Sequence, residues 1–352
     1  MEFSDLLINW YLKNKRDLPW RETNDPYKIW ISEIILQQTR VAQGLEYYNN
    51  FIRQFPDVTA LATAKEEDVL KCWQGLGYYS RARNLHFSAK TIVEKHQGIF
   101  PKTHKEIRSL KGIGDYTAAA IGSFAFGLPF AAVDGNAYRV LARVFEIATP
   151  IDSTKGKSEF GELAQELLDK QRPALFNQGI MELGATVCTP TTPHCTECPM
   201  QEICLALAHK TANELPVKSK KGSSKDRYFY YFLLTTDQHI YLHRREADDI
   251  WKGLFELPLV ETPQPMDQEQ LLAHLPETDF GQAFKLKQIT LVHDPVTHVL
   301  SHQRIHATLI EAKAAPKGAA APYLRISTAE FAQYPISRLT EILVGKRFDS
   351  LL

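Results

Sequence analysis

Three groups of residues in this chain have types and spacings that could do chemistry. The first is a single carboxyl: Glu33 has Ile29 and Trp30 one helical turn before it and Leu36 and Gln37 one turn after, so its face is largely apolar. A carboxyl in such a place loses the solvation of its anion and holds its proton to higher pH than an exposed glutamate. The competing arrangement is an ion pair with Arg40 or another base, favoured roughly two to one on position alone. The second group is Leu110-Lys111-Gly112-Ile113-Gly114-Asp115-Tyr116-Thr117, followed by a small-residue helical stretch and then Val133-Asp134-Gly135-Asn136. Two glycines around one isoleucine, with helical pattern on both sides, describe a hairpin whose backbone angles call for glycine. Its second helix would begin with bare amides that suit an anion such as phosphate, which makes Lys111, Gly112 and Gly114 candidate phosphate contacts. Asp134 then brings a carboxylate into an apolar, Gly-flanked setting, although capping the next helix explains it equally well.

The third group is Cys188, Cys195, Cys198 and Cys204, spaced C-x6-C-x2-C-x5-C in a chain without a secretory leader pattern. Four thiolates can hold zinc or an iron–sulfur cluster. Zinc ligands usually come as two close couples, whereas only Cys195 and Cys198 form one here, which favours a cubane cluster. Cys72 stands apart as a buried structural thiol.

Helices must position most of these residues. Apolar periodicity predicts helices over 5–13, from Tyr27 to about Asn50, and over 65–74, 81–96, 103–110, 116–126, 158–170 and 173–184. Arg16-Asp17-Leu18-Pro19-Trp20-Arg21 forms a basic and aromatic loop after the first helix, and Glu182 lies among small residues on the last. Gly75-Leu76-Gly77-Tyr78-Tyr79 is a sharp loop whose aromatics either fill core or meet bases. A basic linker over 211–226 separates this all-α region, 1–210, from a stretch of different character, 227–352. There, aromatic and β-branched runs at 228–236, 239–243, 285–292 and 302–312 alternate with short helices near 267–274 and 327–333, an α+β pattern. An Ala/Pro loop lies at 314–322.

The 352 residues are enough for two cores, and 44% hydrophobic with 23% charged residues is the composition of a soluble globular protein. No run of eighteen apolar residues occurs, so the expectation is a protein without membrane association, cytosolic or, in a eukaryote, nuclear or organellar. Forty-one basic residues balance 41 acidic ones. The balance conceals a stripe from Lys71 to Lys111 with nine basic residues against Glu94 and Glu106, leading into the hairpin. A solvated helix face and a nucleic-acid backbone contact both account for it. Residues 226–352 carry 13 basic against 16 acidic residues, a net of −3.

Taken together, Leu-Lys-Gly-Ile-Gly, Val-Asp-Gly-Asn and the cysteine spacing resemble the helix-hairpin-helix DNA glycosylases that carry a [4Fe–4S] cluster. Within that superfamily, 30–39 (WISEIILQQT) and 75–85 (GLGYYSRARNL) resemble the MutY-type adenine glycosylases. The likeness covers nearly all of the first 210 residues, with the hairpin at about 107–126 and the cluster loop at 188–204. It implies a monomeric enzyme of base excision repair that acts on double-stranded DNA and removes adenine paired with 8-oxoguanine or guanine. Adenine is a poor anionic leaving group and the sugar it leaves is cationic, so one protonated and one ionised carboxyl are wanted.

The resemblance gives Glu33 the role of the acid that protonates adenine N7, and Asp134 that of the carboxylate that stabilises the oxocarbenium ion or traps it covalently. It has Tyr116 and Asn136 supporting the site, Arg21 and Glu182 holding the flipped adenine, and Gln38 and Tyr78 filling or wedging the duplex. The endonuclease III relatives carry a Schiff-base lysine where this chain has Tyr116, so the expectation is a glycosylase without strand cleavage. The alternatives are an endonuclease III-like lyase, against which Tyr116 and the separate C-terminal region argue, and a non-catalytic DNA-binding module. Two carboxylates near DNA phosphates cost electrostatic energy that binding alone would not justify. Residues 251–258 (WKGLFELP) resemble a Nudix fold, but the Arg-Glu-x-x-Glu-Glu run that would hold magnesium is missing. In the family this domain reads 8-oxoguanine through a Phe-Ser-His turn; here the turn is Leu300-Ser301-His302, with Leu in place of Phe.

Overall fold

The computed structural model describes residues 2–219, 224–234, 238–318 and 322–345. The centre of the basic linker, the end of the 228–236 run and part of the Ala/Pro loop lie outside the described residues. Contacts divide the chain into two compact units: Met1–Thr63 with Asn84–Lys221, and Ala64–Arg83 with Gly222–Leu352. The segment Ala64–Arg83, helical in sequence pattern, thus belongs by its contacts with the second unit.

In chain order the helices are α1 (Phe3–Asn14), α2 (Pro26–Ile35), α3 (Val41–Gln54), α4 (Val58–Thr63), α5 (Glu66–Cys72), α6 (Ser80–His96), α7 (His104–Ser109), α8 (Asp115–Phe126), α9 (Gly135–Val144), α10 (Thr154–Leu167), α11 (Pro173–Thr186) and α12 (Leu205–Ala208). Their starts follow from local chemistry. Pro26 sits in the first turn of α2 behind Asp25, whose carboxylate accepts the Tyr27 amide at 2.9 Å. Ser153 accepts the Gly156 amide at 3.0 Å to open α10, four residues before the predicted start. The expected single helix from Tyr27 to about Asn50 is two. Helix α2 ends at Ile35, and after a turn containing Gln38 in the left-handed region (φ 60°) α3 begins at Val41. Apolar periodicity runs on through the break, which is why the sequence does not announce it.

One core of the first unit joins α1, α9, α10 and α11 through Leu7, Ile8, Leu141, Phe160, Phe176 and Leu183, all fully buried. Here Gly184 matters: a Cβ on it would stand 2.5 Å from the Cβ of Asn136 and 2.9 Å from its carbonyl oxygen. Helices α9 and α11 therefore meet at a distance that no side chain would allow.

The second unit has two sheets. One runs β4 (Leu259–Thr262), β1 (Lys225–Leu234), β7 (Gln303–Pro316), β5 (Phe284–Val292), with β6 (Val296–Val299) also paired to β7; β1 and β7 are parallel and their other partners antiparallel. The other runs β3 (Phe255–Glu256), β2 (His239–Arg244), β8 (Tyr323–Ser327). Helices α13 (Gln268–His274), α14 (Asp279–Ala283) and α15 (Arg338–Gly345) complete an α+β unit. Phe229, Tyr231 and Leu233 of β1 point into one core, Tyr230, Phe232 and Leu234 into another, as strand alternation requires. Asp267 caps α13 with a reciprocal bond from Gln270. Strands β3, β4, β6 and β8 and helices α14 and α15 have no separate run in the sequence pattern.

Candidate active site

A cavity of about 480 Å³ in the first unit gathers residues from loops and helices far apart in sequence. That size falls within the roughly 300–1,000 Å³ of small-molecule sites. Arg16 and Arg21 come from the loop after α1, Glu33 from α2, and Gln37 and Gln38 from the turn that ends it. Tyr116 comes from α8, Asp134 and Asn136 from the start of α9, and Gln178 and Glu182 from α11.

Glu33 is buried on the apolar face of α2. Its partner is not Arg40: the Tyr116 hydroxyl donates to its Oε2 at 2.5 Å. Burial pushes its pKa up, the Tyr116 bond and the Arg21 charge pull it down, and the Asp134 charge raises it further, leaving it at about 7. Burial and the two nearby carboxyls drive the Tyr116 hydroxyl well above its ordinary range, so it stays a donor.

Asp134 is both helix cap and cavity residue. Its Oδ1 accepts the Ala137 amide at 2.7 Å and its Oδ2 accepts Asn136 Nδ2 at 2.7 Å. Burial raises its pKa, but these hydrogen bonds and Arg139 oppose the rise by favouring the anion. Arg139 was not singled out in the sequence. It donates to Asn136 Oδ1 at 2.8 Å, to the Gly184 carbonyl at 2.6 Å and to the Cys188 carbonyl at 2.6 Å, and so orients the residue that orients Asp134.

Glu182 lies fully buried at another wall. Burial would raise its pKa, yet Arg16 and Arg21 hold it at about 2. Arg16 Nε and Nη2 donate to its two oxygens, each at 2.7 Å, and Arg21 Nη2 donates to Oε2 at 2.6 Å. Arg16 was legible only as one cation in a basic loop; its bidentate geometry has no sequence signal.

The hairpin is present between α7 and α8. Gly112 has φ 83°, and a Cβ there would meet Asn84 at 2.7 Å, so glycine is required. Gly114 corrects the expectation for its partner: its φ of −94° with ψ −176° is extended backbone open to any residue. Nothing lies within 4 Å of where its Cβ would be, and the missing side chain leaves the approach to the amides of α8 clear. The Lys111 ammonium lies 4.7 Å from the centre of the exposed Phe87 ring.

Cys188, Cys195, Cys198 and Cys204 line one pocket with Val140, Val144 and Leu183. Arg143 Nη1 approaches Cys188 Sγ at 3.4 Å and donates to the Thr189 carbonyl, while Nη2 and Nε donate to the carbonyls of Pro190 and Leu215. Among the described residues no three His, Cys, Asp or Glu side chains are drawn together tightly enough for a single ion. Four thiols around one pocket, with a buried guanidinium beside them, suit a larger anionic group better than zinc.

In the second unit, Tyr78, Trp251, His298, Leu300 and His302 line a separate pocket of about 390 Å³. The Tyr78 and Ser301 hydroxyls are hydrogen-bonded at 2.6 Å. Tyr78 and the 300–302 turn, far apart in sequence, meet here: Tyr78, Leu300 and His302 line the pocket together with Trp251 and His298, and Ser301 joins them through Tyr78.

Residues 31–169 match the HhH-GPD superfamily of base excision DNA repair proteins, and residues 230–346 match the NUDIX domain. The adenine DNA glycosylase of Buchnera aphidicola subsp. Acyrthosiphon pisum is 37% identical over 257 residues, which span 73% of this chain and 73% of that one. The chain belongs to the adenine DNA glycosylase family. The human adenine DNA glycosylase is 42% identical over 233 residues, 64% of this chain and 43% of its own length. Among solved structures, a thermostable thymine-DNA glycosylase superposes with a TM-score of 0.55 at 30% identity, covering 59% of this chain and 95% of that one. A non-covalent endonuclease III–DNA complex gives 0.52 at 20% identity over the same share of this chain and 94% of its own, a likeness of fold. No helix among the described residues is long and apolar enough to cross a membrane.

Proposed function

We propose that the protein hydrolyses the N-glycosidic bond of adenine paired with 8-oxoguanine or guanine in double-stranded DNA, and leaves the strand uncut. The observation that carries this reading is the pair of carboxyls in one cavity: Glu33, raised by burial to about 7 with a phenol as its hydrogen-bond partner, and Asp134, also raised by burial but held by hydrogen bonds from Ala137 and Asn136 that favour its anion. An adenine flipped out of the stack enters the cavity, with Arg16, Arg21 and Glu182 offering polar contacts along one wall. Glu33 gives its proton to N7 as the bond from C1′ to N9 breaks, so the base leaves neutral. The Asp134 carboxylate faces the positive charge on C1′. Water then adds to C1′ and loses a proton, Glu33 regains one, and an abasic site remains. Tyr116 holds Glu33 in place and cannot form an imine. Among the described residues that line the cavity there is no lysine to act as a lyase nucleophile.

Lys111 and the amides after Gly112 and Gly114 are assigned to backbone phosphates. Cys188, Cys195, Cys198 and Cys204 would hold a [4Fe–4S] cluster, which when bound cross-links the 188–204 loop and supplies no group to the excision. Purified protein should be straw-brown; a colourless protein with stoichiometric zinc would overturn that assignment. Tyr78, Leu300, Ser301 and His302 are assigned to the base opposite the adenine.

The test is single-turnover reaction with duplexes holding adenine opposite 8-oxoguanine or guanine, analysed with and without alkali. Cleavage only after alkali is expected. Cleavage without alkali contradicts the monofunctional assignment, and an intact strand after alkali removes the glycosylase reading.

A further inference from the structure

The pocket of the second unit has a feature that its sequence motif does not contain. Six non-glycine residues among those described have positive φ, and the two aromatic ones, Tyr78 (47°) and Trp251 (59°), both line this pocket. A bulky side chain in the left-handed region is costly and persists only where surrounding bonds over-determine it, as they do at ligand clamps. Both rings are fixed in this way, by separate means. Tyr78 has its hydroxyl on Ser301 at 2.6 Å and the Arg81 guanidinium 5.6 Å from its ring centre, while Arg81 Nη2 donates to the Gly77 carbonyl at 3.2 Å.

Trp251 is fixed through Arg245. This buried arginine donates from Nε to the Ile250 carbonyl at 3.1 Å and from Nη2 to Asp249 at 3.0 Å, with Nη1 anchored on buried Glu256 at 2.9 Å. Its backbone closes the loop, accepting the Gly253 amide at 2.7 Å and donating to the Leu254 carbonyl at 2.9 Å. The indole meets Phe229 edge-on at 6.5 Å and His298 at 5.8 Å, both measured between ring centres. It therefore reaches from the core to the pocket. Leu300, by contrast, packs against that same core and offers no π face.

We propose that Trp251 is a further binding residue for the base opposite the adenine, its indole supplying the aromatic wall that residue 300 does not, with Arg245 as its positioning residue. This rests on the assignment of the second unit to lesion reading. A flat heteroaromatic base gains from a rigid ring already held in place, because no rotamer freedom is lost on contact.

The experiment measures binding by the full-length protein in a Glu33→Gln background, comparing duplexes with adenine opposite 8-oxoguanine and opposite guanine. Stacking of a base on an aromatic ring predicts that Trp251→Leu weakens binding of the 8-oxoguanine duplex about tenfold, while Trp251→Phe stays within about threefold of the parent. Leu300→Phe alone should change that affinity less than about twofold, since the wall is already present, and should recover part of the loss when added to Trp251→Leu. An unchanged affinity in Trp251→Leu overturns the proposal, as does a tenfold gain from Leu300→Phe alone, a measurement that stands even if Trp251→Leu fails to fold. A parent with no preference between the duplexes would instead overturn the assignment of the second unit.

Discussion

The two walls of the first unit's cavity each hold a buried carboxyl, and their neighbours set the proton affinities of the two far apart. Glu33 has a phenol for a partner and rests at about 7; Glu182 has two guanidiniums and rests at about 2. Burial acts in the same direction on both. The difference is made by what donates to them: a neutral hydroxyl leaves the proton on, whereas Arg16 and Arg21 replace it. One cavity thus offers a proton at one wall and a fixed ion pair at the other, a division suited to protonating a base while another part of it is held.

Replacing Glu33 by Gln takes the proton from one wall without changing its shape. We expect base excision to fall by about 10³-fold or more, with duplex affinity retained, in single-turnover and binding assays. Near wild-type turnover would mean that another group is the acid. At the opposite wall, Glu182→Gln leaves Arg21 and Arg16 without their shared anion, and we expect a loss of about 3 kcal/mol in denaturant unfolding at pH 7. An unchanged midpoint would dissolve the contrast.

The pH dependence of stability separates the walls by sign. Glu33 is raised from 4.5 to about 7, so its stabilising contribution is complete below pH 4.5 and is lost as pH rises through about 7. Relative to wild type, Glu33→Gln should therefore gain about 3 kcal/mol between pH 4 and pH 9, read from unfolding curves of both proteins. Glu182 is lowered from 4.5 to about 2, so its contribution is present above pH 4.5 and is lost as pH falls through about 2. The smallest effect is expected for Tyr116→Phe. Loss of a bond that lowers the Glu33 pKa should move the alkaline limb of the rate profile to higher pH, with a rate loss of about tenfold from poorer placement.

Much of this site could be read from residues alone, and the exceptions share a cause. Glu33 was legible because an acid on an apolar helix face breaks a pattern, and Asp134 because an N-cap before Gly-Asn has a short-range signature. Asp134 proved to be cap and cavity residue at once. The pairing of Glu33 with Tyr116, 83 residues away, depends on how α2 and α8 pack, and no local pattern encodes it. The break after Ile35 was hidden because the apolar period continues across it, yet that break is what brings Gln37 and Gln38 to the cavity. Gly112 and Gly114 look equivalent in sequence, but only Gly112 needs its left-handed angle. Arg16 and Arg139 have no sequence signal, because an arginine in a loop and an arginine on a helix are unremarkable until their partners are known, and Trp251, though part of the 251–258 likeness, gives no sign there of its place in a pocket.

The contact of Gly184 with Asn136 sets a tolerance for the whole cavity. Asp134 stands at the head of α9 and Glu182 is carried by α11, and these helices touch where one of them has only a hydrogen atom to offer. A single methyl group at 184 would act as a shim between them, pushing the Asp134 carboxylate away from the wall that carries Glu182. The gauge of the site is thus set by a residue that contributes no functional group to it.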